Sequence, residues 1–371
     1  MLNDSDFNDT AGGAELQPFY HTRLLFVAVL APVEMAILAF GLASNIINII
    51  VFLKTGVKDN VTTLLLSLSM SDVSYLILMT PMFSTIMIFY LAPDWRWPFD
   101  RHFTSNLFYW PAMAVYNFSS FISLFLGLVR CACVAMPLHF KSVFTRSRTV
   151  KIVVALLFVS ISLHVPVMTV FKIDVRYEPF KNSTSVYSGV TNHLSAMVKI
   201  NDYLNRICIP WISFIVMIVC AIVLSIKLFQ SSRLRSSNKP TSKPGPDLAL
   251  HENTTNEGKL SDKDIRVVQS VLLVCIIFIC SQLVFVITSI VRLINPEFDQ
   301  ERRLKNLFLI ATRVSSTFTV LNSSVNIFVY YNYNSKYRAG FLLLFNPHKE
   351  AHDKKNYSVK SKRVILSLIS A

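Results

Sequence analysis

Residues 126–140 read LGLVRCACVAMPLHF. One arginine, Arg130, stands in an almost unbroken apolar run, with no acid beside it and Pro137 seven residues on. In a soluble core helix a permanent charge there is costly. At the end of a membrane-spanning helix the guanidinium can face a bundle interior or water, because intramembrane charges are rare and usually placed for function. Alone, Arg130 reads equally well as a charge that snorkels to the interface. The rest of the chain decides.

Of 371 residues, 53% are hydrophobic and 16% charged, with 28 Phe against 9 Gly. Soluble domains carry about 25% charge, so the composition is that of a multi-span membrane protein. Apolar runs of about 20 residues read as spanning helices. Seven occur, at 24–53, 61–91, 104–136, 149–171, 200–229, 267–294 and 307–331. They are too long and continuous for barrel strands, and helices satisfy their own backbone in lipid. The predicted fold is all-α: a seven-transmembrane helix bundle, with a short amphipathic helix after the seventh span at 334–345 ("NSKYRAGFLLLF"). That helix carries basic residues on one face and Phe/Leu on the other, and reads as lying on membrane lipid.

The formal net charge of +14 would suggest nucleic acid in a soluble protein. Here the basic residues gather in alternate connections: Lys54 and Lys58; Lys141, Arg146, Arg148 and Lys151; Arg233, Arg235, Lys239, Lys243 and Lys259; and a tail with Lys336, Arg338 and Lys349. No nucleic-acid partner is expected. The positive-inside rule places the N-terminus outside and the C-terminus inside. The organisation expected is an outer tail (1–23), a seven-helix bundle (24–331) with a Ser/Pro/Asn-rich disordered inner loop at 230–263, and an amphipathic helix with inner tail (332–371). The stretch up to Thr22 precedes a run too long for a cleaved leader, which reads as a signal anchor.

Sequons begin at Asn3, Asn8 and Asn182, all in expected outer segments, although one at Asn253 falls in the inner loop. All six cysteines lie in or beside apolar runs, so neither a disulfide framework nor a zinc site is read. No HExxH, phosphate loop or nucleophile elbow occurs, and little soluble chain remains to build an enzyme.

Residue patterns on most spans resemble the rhodopsin-like (class A) G-protein-coupled receptors. "GLASNIINIIVF" resembles the family's first-helix stretch, with Asn45 as its asparagine; "LSLSMSD" resembles the second-helix pattern, with Asp72 as its acid. "LVRCACVAMPL" resembles the Asp/Glu-Arg-Tyr stretch, with Arg130 as its arginine. "NSSVNIFVYY" resembles Asn-Ser-x-x-Asn-Pro-x-x-Tyr, with Asn322, Asn326 and Tyr330 in place. Pro210 falls at the fifth-helix proline, and "WRWPF" resembles the outer-loop Trp-x-Phe turn through Trp97. The wording further resembles expanded invertebrate sets, including chemosensory and FMRFamide-type neuropeptide receptors.

The resemblance implies a plasma-membrane receptor that binds an extracellular ligand and activates heterotrimeric G proteins, with Arg130 and Tyr330 at the coupling end. It also implies a sodium ion held by Asp72, Ser119, Asn322, Ser323 and Asn326; a hydrogen-bonded network without an ion is the alternative, and no other cofactor is expected. Oxygen donors suit a hard cation. Ala112 stands where amine receptors place an aspartate, which argues against a biogenic amine and leaves a peptide or small chemosensory molecule. Candidate ligand residues are Glu34, to take a cation, Asp202 and Arg206, spaced i,i+4, and the walls Tyr116 and Phe285. Asp202 and Arg206 satisfying only each other is an equal reading.

Departures from the pattern are specific. Val129 replaces the acid before the arginine, Cys131 the tyrosine and Ile327 the seventh-helix proline. Ser281 and Leu283 stand where Trp and Pro are usual in the sixth, and Ser105 where the outer cysteine is expected. The family's outer disulfide should be absent, and the missing proline removes a kink device. Asp262 and Asp264 are the candidates to hold Arg130 in place of the acid. A transporter or channel is the runner-up class, disfavoured by the lack of internal repeats. A receptor that no longer couples is the other alternative.

Overall fold

The structure is a computed structural model; it describes residues 20–91, 103–135, 144–169, 171–178, 183–190, 195–237, 262–300 and 302–345. Asn3, Asn8, Asn182, Asn253 and Trp97 lie outside the described residues.

Apolar continuity builds the helices. The first four spans are α1 (Tyr20–Thr55), α2 (Asn60–Leu91), α3 (Phe103–Ala135) and α4 (Arg146–Met168). Each contains a proline, at Pro32, Pro81, Pro111 and Pro166, which a membrane helix tolerates because neighbours satisfy the freed carbonyl. The α1–α2 corner is encoded locally. Gly56 takes φ +83 just past the helix end, the left-handed conformation glycine supplies without a Cβ clash. Asp59 then caps α2, its carboxylate accepting from Thr62 N at 2.9 Å and Thr62 Oγ1 at 2.8 Å. Thr145 caps α4 in the same way through Arg148 N.

The fourth span stops at Met168, short of the expected 171. Its end is turned by Thr169, whose hydroxyl bonds the Pro166 carbonyl at 2.8 Å. Phe171 instead begins a strand: β1 (Phe171–Glu178) pairs antiparallel with β2 (Ser183–Val190), in register Val175↔Val186. This hairpin was not anticipated by the all-α reading. Alternation in the sequence is the signal for it: Phe171, Ile173, Val175 and Tyr177 alternate with Lys172, Asp174, Arg176 and Glu178.

The fifth span begins earlier than expected, with α5 (Ser195–Tyr203), passes through a π-helical turn at Leu204–Cys208, and continues as α6 (Ile209–Ser237). Pro210 has no N–H for the Arg206 carbonyl, and Ser289 Oγ reaches that oxygen at 3.5 Å. The sixth span is α7 (Asp262–Ile294). Of the segment expected as an inner loop at 230–263, residues 230–237 and 262–263 are helical, and 238–261 lie outside the described residues. Serine and arginine do not stop a helix already propagating, whereas Pro240 would.

Among the described residues, six helices are long and apolar enough to cross a membrane, including His21–Thr55, Arg146–Met168 and Val268–Ile294. The seventh pass is divided into α8 (Lys305–Ser324) and α9 (Asn326–Tyr333), with Val325 between them at φ −91, ψ −4. α10 (Ser335–Phe345) follows as the expected short helix. The hairpin marks one end of the bundle and α10 the other; they are called here the hairpin end and the tail end.

Two close approaches fix the packing of α1. A Cβ on Gly41 would meet Ser324 Oγ at 2.2 Å and Leu76 Cδ1 at 2.8 Å. One on Gly340 would meet Thr55 Cγ2 at 2.4 Å. The tail-end core includes Leu64, Leu68, Ile122, Leu126, Val129 and Phe278; a second cluster at the hairpin end includes Leu38, Tyr75, Met79, Phe83 and Tyr116. Large apolar side chains such as Phe158 and Phe229 point outward, 65% and 63% exposed, as lipid-facing side chains do.

Candidate functional site

Polar side chains collect at three levels along the bundle. At mid-depth, Asp72 of α2 is fully buried. Ser119 Oγ donates to its Oδ1 at 2.8 Å and Asn326 Nδ2 to its Oδ2 at 2.9 Å. Ser323 lies against the same carboxylate. Asn326 reaches Asp72 from the first residue of α9, so the break at Val325 presents the amide. The expected proline is not needed for the interruption.

The five expected sodium ligands thus separate. Asp72, Ser119 and Ser323 offer oxygens at one place. Asn326 presents its amide nitrogen, and Asn322 is half-buried without a hydrogen bond to Asp72. A carboxylate and two hydroxyl oxygens are the donor set that suits a small hard cation.

From this level a polar line runs to the tail end. Asn45 Nδ2 donates to the Ser323 carbonyl at 2.6 Å, Asn48 Nδ2 to Asn45 Oδ1 at 3.2 Å, and Tyr337 Oη to Asn48 Oδ1 at 2.6 Å. Tyr330 is fully buried, its ring 5.3 Å from Phe52 and 5.7 Å from Tyr337, both edge-on. Arg130 is half-buried near the end of α3, after Val129, which is 0% exposed in the apolar core. The side chains of Asp262 and Asp264, the expected partners of Arg130, lie outside the described residues.

At the hairpin end the charges form two groups. Asp202 of α5 accepts from Arg206 at 3.2 Å, as the i,i+4 spacing implied, and from Arg292 of α7 at 2.5 Å. Arg292 also pairs with Asp299 at 2.9 Å. Arg206 donates to Tyr109 Oη of α3 at 2.9 Å. The second group joins the first and seventh spans. Glu34, expected to take a cation from a ligand, is 0% exposed and engages this chain's own Arg313. Thr317 donates to it at 2.7 Å. Arg313 also lies over the Phe83 ring at 4.6 Å. A carboxylate at that depth needs such a partner, so Glu34 is a structural tie between spans.

Tyr116 is buried and accepts a 2.6 Å hydrogen bond from Gln282. Phe285 is half-buried one turn before Ser289. In place of the sixth-helix Trp and Pro, Ser281 Oγ bonds the carbonyls of Ile277 at 2.7 Å and Phe278 at 3.0 Å, a back-bond that bends helices slightly. Ala112 is fully buried in the hairpin-end cluster.

The family model for the 7 transmembrane receptor (rhodopsin family) matches residues 44–330. The chain belongs to this family. Compared with curated proteins, it finds no match. Within this rhodopsin-family receptor, the match runs from Ser44 at the start of the asparagine line to Tyr330 on α9, and so embraces Asp72 and Arg130.

Reading one charge at a time missed Arg292, Arg313, Tyr109 and Thr317. The signal was present. "IVRLI" and "IATRVSS" each hold an arginine in an apolar run, the same feature that singled out Arg130.

Proposed function

We propose that the chain is a plasma-membrane receptor that binds an extracellular peptide or small chemosensory ligand at the hairpin end and activates a heterotrimeric G protein at the tail end. The basic connections favour this orientation under the positive-inside rule. The observation that carries the ligand class is Asp202 held by two guanidiniums, those of Arg206 and Arg292. A ligand carboxylate can take the place of Asp202 on those arginines, and a ligand cation can then pair with the released Asp202. That suits a zwitterion or a peptide terminus. Ala112 offers no anion to an amine. The likeness to invertebrate chemosensory and FMRFamide-type receptors points the same way.

Ligand binding acts by favouring one of two helix packings. In the activated packing Arg130 meets the G protein, for which a guanidinium that never deprotonates is suited. Asp72, Ser119 and Ser323 would hold a sodium ion, which supplies a counter-charge to the buried carboxylate.

The test is surface expression in cells that carry a promiscuous G protein, screened against short peptides and zwitterionic metabolites. Evoked nucleotide exchange by such a ligand supports the reading. Flux of the same compound without exchange favours a transporter. Saturable binding without exchange favours a receptor that no longer couples, which Val129 and Cys131 beside Arg130 would explain.

A further inference from the structure

Cys131 follows Arg130 directly, and its thiol faces the fifth span. Cys131 Sγ lies 3.6 Å from the Cys220 carbonyl oxygen of α6. One turn earlier, Gly127 opens the same face: a Cβ there would lie 3.5 Å from Cys220 Cβ and 3.6 Å from Cys220 Sγ. A third thiol, Cys275 of α7, is fully buried in the tail-end core. All three are free thiols, on three spans that meet at the tail end. Cys131 is half-buried, whereas Cys220 is 2% exposed.

We propose that Cys131 and Cys220 form an oxidisable dithiol whose disulfide staples α3 to α6 beside Arg130. Cys131 Sγ at the Cys220 carbonyl and Cys220 Sγ at Gly127, one turn away, place both thiols at one close approach of α3 and α6, where side-chain rotation can bring them toward the S–S length of about 2.05 Å. The oxidant is a small neutral peroxide. Hydrogen peroxide oxidises the more accessible Cys131 thiol to a sulfenic acid and leaves as water. The Cys220 sulfur then displaces the hydroxyl, which departs with the thiol proton as a second water, and the S–S bond forms. Two electrons pass from the two sulfurs to one peroxide. A dithiol reductant reverses the step. The bond holds the third and fifth spans in one packing, so its signalling consequence rests on the receptor reading, while its formation does not.

The experiment uses the full-length chain in membrane vesicles treated with hydrogen peroxide. Remaining thiols are blocked with N-ethylmaleimide, and the digest is analysed by mass spectrometry without reduction. A Cys131–Cys220 linked peptide is expected, lighter by two hydrogens than the separate thiol peptides together, absent after dithiothreitol and absent in Cys220→Ser. Cys133→Ser, two residues along on another face, should still cross-link. Recovery of Cys131 and Cys220 only as separate maleimide adducts or higher oxides overturns the proposal. In parallel, ligand-free nucleotide exchange on an added G protein should fall by about fivefold or more on oxidation and return on reduction, with Cys220→Ser insensitive. A linked peptide with exchange unchanged by oxidation overturns the staple as a regulator. No exchange even in the reduced chain sinks the coupling reading instead, and the linked peptide alone then decides the dithiol.

Discussion

Tyr337 Oη donates a 2.6 Å hydrogen bond to Asn48 Oδ1, tying the tail helix α10 to the last two turns of the first span. Asn48 is in turn bonded to Asn45, and Asn45 to the Ser323 carbonyl. A short line of side chains therefore links α10 to the interruption of the seventh span. Asn48 is fully buried, so Tyr337→Phe leaves its oxygen unmatched, a loss of about 1–3 kcal/mol. The thermal midpoint of the purified chain should fall accordingly. An unchanged midpoint would mean the contact is dispensable.

Burial pushes the Tyr337 phenol above its usual range. Its contribution should therefore be complete below the ordinary phenol pKa of about 10. It should fade as pH rises further, because the unfolded chain ionises first while the folded phenol keeps its proton. Unfolding of wild type and Tyr337→Phe, compared from pH 7 to above 10, should show the gap between them closing only at the alkaline end.

Glu34 and Arg313 bind the first span to the seventh, with Glu34 wholly buried. Removing one partner should cost about 3–5 kcal/mol, because the other charge is left unpaired, whereas replacing both by apolar residues should cost much less. A double-mutant cycle with Glu34→Leu and Arg313→Leu tests this through thermal unfolding. Additive losses would show that the two do not act as a pair.

At Gly41 the available space ends at Ser324 Oγ, 2.2 Å from where a Cβ would lie. Gly41→Ala should destabilise by about 1–3 kcal/mol through overpacking, read as a lowered midpoint. A neutral result would place the first span farther from the seventh than described.

The spans were legible because lipid demands long apolar runs, and length alone separates such helices from strands. Charge pairing was legible only when local. Asp202 and Arg206 sit one turn apart, so spacing reveals them. Arg292, on the other side of Asp202, lies 90 residues away in the chain, and its approach depends on how the fifth and sixth spans pack. The pairing of Glu34 with Arg313 was hidden for the same reason, since the two are 279 residues apart. The break at Val325 was obscured because its familiar marker, a proline, is absent; the interruption is instead seen with the Asn326 amide bonded to Asp72. The hairpin was overlooked because its alternating strands lie between two strong apolar runs.

Asp72 is the residue through which sodium should act. If Asp72, Ser119 and Ser323 hold the ion, sodium chloride should raise the midpoint of the wild-type chain above that in choline chloride at equal ionic strength. Asp72→Asn should abolish the difference. A wild-type midpoint indifferent to the cation would leave Asp72 as a hydrogen-bond centre alone.

The account turns on Arg130 as the point of contact with a G protein. The most direct measurement is nucleotide exchange on a heterotrimeric G protein by wild type and Arg130→Ala at matched surface density, with and without an activating ligand from the peptide and zwitterion screen. The account expects ligand-evoked exchange in the wild type and none above background in Arg130→Ala, with ligand binding retained. Undiminished exchange in Arg130→Ala would contradict it.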